Sequence, residues 1–120
     1  MADTVTDARR GRLELAPRVV TRLAEAEAAR VPGVVRHAHT MEKLVGRTLP
    51  RVSATVDRDL VRLEVEVALE WPCEVDRVAA EVRRRVMTET SRLTGLEVRS
   101  AHVSVEIVHD ADADDERRVQ

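Results

Sequence analysis

Two histidines, one cysteine and a set of carboxylates are the residues in this chain whose types and spacing could do chemistry. His37-x-His39 is the one local spacing of metal-ligand type, because an extended segment would project both imidazoles to the same side. A zinc or nickel site needs further ligands, and Glu42 and Cys73 are available without a spacing that argues for either, so solvated loop histidines are expected. Cys73 stands near the start of a predicted helix, whose dipole would favour a thiolate nucleophile. Glu70, Glu74 and Asp76 oppose that shift and no histidine is adjacent, which favours a small half-buried thiol. Glu64, Glu66 and Glu106 could gather on one sheet face as acid and base. Nothing concave is expected around them, and Arg62 is expected to neutralise some of them in cross-strand ion pairs. The sequence therefore assigns no catalytic residue, no metal ligand and no cofactor, and predicts a protein that is not an enzyme.

The remaining candidates bind rather than react. Arg83-Arg84-Arg85, with Arg77 and Arg92, is the one basic run. Its three central residues fan over some 200° of a helix, and Glu81 and Arg85 stand at the favoured four-residue spacing, so a salt-bridged solvent face is expected. Arg77, Arg84, Arg85 and Arg92 remain the candidates for contact with an anion or nucleic acid. Trp71, the single aromatic residue, sits beside Pro72 at a strand end and is a candidate interface anchor. With no Phe or Tyr, the chain cannot build a base-stacking platform.

The elements that must carry these residues follow from the apolar pattern. At 120 residues, with 43% hydrophobic and 35% charged side chains, the chain fits one core and not two ordinary domains. Its 20 basic and 22 acidic residues give a formal charge of −2, without the positive field that drives backbone binding to nucleic acid. The lone cysteine and the lack of a secretory apolar stretch fit a reducing cytoplasm, and no apolar run is long enough to span a bilayer.

Residues 1–10 and the acidic 110–120 read as disordered tails around a single domain spanning 11–109. Leu13 and Leu15 predict a short first strand, and Pro17 opens a helix of about 15 residues. Its apolar positions are Val19, Val20, Leu23, Ala24 and Ala28, with Glu27 in the same stripe and Arg22 toward water, and Pro32-Gly33 stops it. Val34 and Val35 could begin a strand, whereas 36–50 mixes its signals, with Thr40 as a cap for one turn closed by Gly46. Val52, Ala54 and Val56, a turn at Asp57-Arg58-Asp59, and Leu63, Val65, Val67 and Leu69 predict a hairpin. Val75, Val78, Ala79, Val82, Val86 and Leu93 predict a long second helix ended by Gly95. The final strand changes apolar parity between Arg99 and His102, which requires a bulge or bend. The expected architecture is an α/β (α+β) two-layer sandwich in the order β-α-(β)-β-β-α-β, a small mixed or antiparallel sheet with both helices on one face. The other face would expose Ser53, Thr55, Arg62, Glu64, Glu66, His102, Ser104 and Glu106.

Several of these segments resemble a known family. Gly11-x-Leu13-x-Leu15-Ala16-Pro17-x-Val19-Val20, the step Val31-Pro32-Gly33-Val34, and Thr94-Gly95-Leu96-Glu97-Val98 followed by Val103-x-Val105 are similar to the opening, helix end and closing signature of the alkaline shock proteins, the Gls-type envelope stress response proteins. The resemblance spans about 11–109; segment 36–50 and Trp71-Pro72-Cys73 depart from it. It implies a cytoplasmic bacterial stress protein without catalysis, often held at the inner face of the membrane by an integral membrane partner. The expected function is accordingly a scaffold or adaptor. Its partner contacts would be Trp71, Arg62, Glu64, Glu66, His102 and Glu106, and its partners a small integral membrane protein, paralogues or further copies of itself. The alternative is weak nucleic-acid binding through the arginines of the second helix.

Overall fold

The computed structural model describes residues 17–38 and 48–109, so the first strand predicted at Leu13 and Leu15, the turn capped by Thr40, His39, Glu42 and both predicted tails lie outside the described residues. Helix α1 covers 17–29 and is followed by the short strands β1 (Val34–Val35) and β2 (His37–Ala38). Strands β3 (Thr48–Leu49), β4 (Arg51–Asp57) and β5 (Leu60–Glu70), helix α2 (Val75–Thr94) and strand β6 (Glu97–Val108) complete the order.

Strand β5 is the centre of the sheet because its odd positions are all apolar over 11 residues. One edge pairs antiparallel with β4, Asp57 opposite Leu60 through Arg51 opposite Glu66, and beyond β4 with β1, Val34 opposite Leu69. The other edge pairs parallel with β6 along its whole length. A parallel neighbour needs a crossover, and α2 supplies it. The predicted parity change is a register irregularity: Val61 faces Val98 but Arg62 faces Ser100, so Arg99 is the extra residue. The bulge returns Val103, Val105 and Ile107 to the face of the main core.

Both helices cover that one face. Val20, Ala24, Ala28 and Val31 from the α1 region and Val82 and Val86 from α2 share one buried cluster with Val52, Val61, Leu63, Val65, Val67 and Leu69. Two positions of the expected stripes are corrected: Val19 is 46% and Leu93 45% exposed, while Thr90 takes the buried place in the last turns of α2. The chain leaves α1 through Gly33 at φ 101°, and α2 ends on Gly95 at φ 75°, whose N–H donates to the Ser91 carbonyl at 2.9 Å.

Segment 36–50 contributes an unforeseen ribbon, β2 paired antiparallel with β3, His37 opposite Leu49. Leu49 then joins Val35, Ala68 and Val108 in a second, smaller apolar cluster on the face opposite the helices. That face is therefore open over most of its length and covered at the β1 end.

Candidate interaction surface

The open face is built by alternation on three strands. On β5, Arg62, Glu64 and Glu66 point away from the core because their odd neighbours point into it. Pairing sets Ser53 and His102 on either side of Glu64, Thr55 and Ser100 beside Arg62, and Arg51 and Ser104 beside Glu66. Arg62, Glu64, Glu66 and His102 are all exposed, and Glu106 is half-buried beside Ala68. The expected cross-strand ion pairs of Arg62 are not formed: its hairpin mate is Thr55, and the glutamates lie on its own strand. Among the described residues, Arg62, Glu64, Glu66 and His102 make no ion pair with one another, and their side chains are exposed to solvent.

Trp71 directly follows β5, at the end of the sheet where β1 pairs. Its backbone N–H donates to the Val108 carbonyl at 2.8 Å, extending the β5–β6 ladder by one residue. The indole is 52% exposed and stands tilted against the His109 ring at 6.2 Å between centroids. A large, half-exposed ring on a backbone held by the strand ladder offers apolar contact area to a partner. Cys73 is half-buried and packs against the main core, the small-hydrophobe role expected of it.

The four arginines considered for anion contact behave differently. Arg77 is paired with Glu74 at 3.1 Å, Arg84 with Glu81 at 2.6 Å and Arg92 with Glu89 at 2.8 Å, each at three-residue spacing on an exposed face. The hydrogen bonds from Arg84 and Arg92 hold the Glu81 and Glu89 carboxyls below the usual carboxylate range. Arg85 does not meet Glu81 as the four-residue spacing suggested. It reaches across to α1, where its Nε donates to Glu27 Oε1 at 3.0 Å. Glu27 is 6% exposed and has a second, longer contact with Arg30 at 3.8 Å. A carboxylate inside a helical apolar stripe, with an arginine on the other helix, was the signal for this tie.

A concave region missed by the sequence reading lies on the far side of α1. Arg22, Glu25, Ala29, Arg36, Leu49 and Arg51 are among the residues lining a groove of about 700 Å³ between α1, β1, the β2–β3 ribbon and the start of β4. His37 is half-buried in the ribbon. Among the described residues no group of three His, Cys, Asp or Glu side chains is arranged to hold a metal ion.

The sequence profile of the alkaline shock protein 23 family, described as having a cell envelope-related function, matches residues 5–109. The chain belongs to this family. Membership gives the alkaline shock signatures a structural meaning: the Pro32-Gly33 step is the positive-φ exit from α1, and the closing signature contains the αL cap Gly95 and the Arg99 bulge. No curated protein sequence matches this family member. Among solved structures it is similar to MamM CTD in its copper form, with a TM-score of 0.54, 19% identity and coverage of 76% of this chain and 85% of that one. A nickel form of a MamM CTD variant gives 0.51 and 20%, covering 76% and 98%. At these identities the likeness is one of fold, a mixed α/β sheet with helices on one side. No described helix is long and apolar enough to cross a membrane.

Proposed function

We propose that this alkaline shock family member is a non-enzymatic scaffold or adaptor of envelope stress, working in the cytoplasm at the inner face of the membrane through contacts with other proteins. The observation that carries the reading is the open sheet face. Arg62, Glu64, Glu66 and His102 present exposed polar groups that form no ion pair among the described residues, and the half-exposed Trp71 lies at the end of the same sheet. Charged rows of this kind set register and partner choice, while an aromatic anchor supplies most of the affinity. A small integral membrane protein or a paralogue with a complementary surface fits the family's envelope-related role.

The alternative, nucleic-acid binding through α2, has less support. Arg77, Arg84, Arg85 and Arg92 each already face a carboxylate, so a phosphate would have to displace an existing partner.

The test compares tagged wild type with a Trp71→Ala, Glu64→Arg, Glu66→Arg variant in gently crosslinked cells, with membrane and soluble fractions analysed separately. Loss of the membrane-fraction partners at unchanged melting temperature supports the reading. Recovery of ribosomal or nucleoid proteins that vanish on nuclease treatment would replace it with the alternative.

A further inference from the structure

We infer that the groove beside α1 is a binding site for a phosphate group carried on an apolar body. Its three guanidiniums come from separate elements: Arg22 from α1, Arg36 from the connection between β1 and β2, and Arg51 from the first position of β4. Among the described residues none of the three forms an ion pair, in contrast to Arg77, Arg84, Arg85 and Arg92 on α2. Arg51 is opposite Glu66 in the sheet register yet forms no salt bridge with it. Glu25 is the single acid among the described residues lining the groove, and its Oε2 accepts from the Val52 backbone N–H at 3.1 Å. Among the described lining residues, three cations against one hydrogen-bonded carboxylate leave an excess of positive charge in a concave space, which suits a phosphate monoester of charge about −1.5 to −2.

Arginine is the side chain whose planar fork matches phosphate oxygens two at a time. The volume of about 700 Å³ falls within the usual range for small-ligand sites. Ala29 and Leu49 supply apolar wall beside the charges, so the ligand has an apolar part next to its phosphate. A lipid phosphate headgroup and a free phosphate ester share this chemistry. The inference stands apart from the protein-contact reading, since the groove includes neither Trp71 nor Glu64.

The experiment measures binding of the full chain to two probes: phosphatidylcholine vesicles doped with phosphatidic acid, and soluble glycerol phosphate. Wild type is compared with Arg22→Gln, Arg36→Gln, Arg51→Gln and with a control of equal charge change, Arg58→Gln, Arg83→Gln, Arg99→Gln, taken from exposed arginines outside the groove. The groove variant is expected to bind about tenfold more weakly or worse, with the control close to wild type. Binding to vesicles alone identifies a lipid headgroup as the source, and binding to glycerol phosphate as well identifies a free ester. As a readout independent of variant folding, glycerol phosphate or a short-chain phosphatidic acid should move the wild-type amide resonances of Ala26, Ala29 and Val34. Absence of wild-type binding to both probes, or an equal loss in the control, or resonance shifts confined to α2, would overturn the inference.

Discussion

Thr90 places a hydroxyl in the main core, fully buried and, among the described residues, without a hydrogen-bond partner for Oγ1. A buried, unpaired polar group costs about 1–3 kcal/mol, so the isosteric Thr90→Val should raise stability by about 1 kcal/mol in urea unfolding. A loss of stability would instead mean that the hydroxyl is satisfied in solution. The two positive-φ glycines form a natural comparison. At Gly33, φ is 101° and an added Cβ would lie 3.3 Å from Val78 Cγ2, whereas at Gly95, φ is 75° and the space is open. Gly33→Ala should cost about 1–3 kcal/mol and Gly95→Ala about 1 kcal/mol, and the order of their denaturation midpoints tests this account of the helix exits. Sequence alone marked both glycines as helix ends but could not rank them, because the difference rests on a side chain 45 positions away from Gly33 in α2.

The two helices are joined by one buried ion pair as well as by packing. Arg85→Ala would leave Glu27, whose side chain is 8% exposed, with only the longer contact to Arg30. That should destabilise the protein by about 2 kcal/mol, less than for a fully buried pair because Arg85 is one-third exposed, and Glu27→Leu with Arg85→Met should recover most of the loss. Unfolding of the single and double variants separates this from simple loss of packing. The exposed pairs on α2 predict a weaker, pH-dependent effect. Hydrogen bonds from Arg84 and Arg92 depress the folded-state pKa of Glu81 and Glu89, so their contribution is present above the unfolded value of 4.5 and is lost as pH falls through the folded values. Melting temperature should therefore decline modestly below about pH 4.5, and less steeply in Arg84→Gln, Arg92→Gln. A salt-bridged face on this helix was legible, but from the four-residue Glu81–Arg85 spacing rather than the three-residue pairs that form, and the departure of Arg85 toward α1 was not, since spacing within a helix carries no information about which helix lies beside it.

Across the whole molecule, strict alternation made the hairpin readable, and the apolar step from Val98 to Val103 is enough to reveal the bulge. The small cluster on the opposite face was harder. Its one signal was the break in polar alternation at Ala68 after Arg62, Glu64 and Glu66, and its partner Leu49 sits in a two-residue strand too short to show a period. The groove escaped for a related reason: Arg22, Arg36 and Arg51 are scattered along the chain, and only the fold lines one cavity with them. The open face itself was read correctly as a row of outward charges, though its ion pairs were not, because pairing register rather than proximity in sequence decides which charges meet.

The central claim is that this face and Trp71 form a partner-binding surface. Crosslinking affinity purification of Trp71→Ala, Glu64→Arg, Glu66→Arg beside wild type tests it most directly. The account predicts that membrane-fraction partners captured by wild type disappear from the variant while its melting temperature is unchanged. An identical partner set, or a variant that loses its partners only because it has unfolded, would contradict it and return Trp71 to the role of a residue that caps the core.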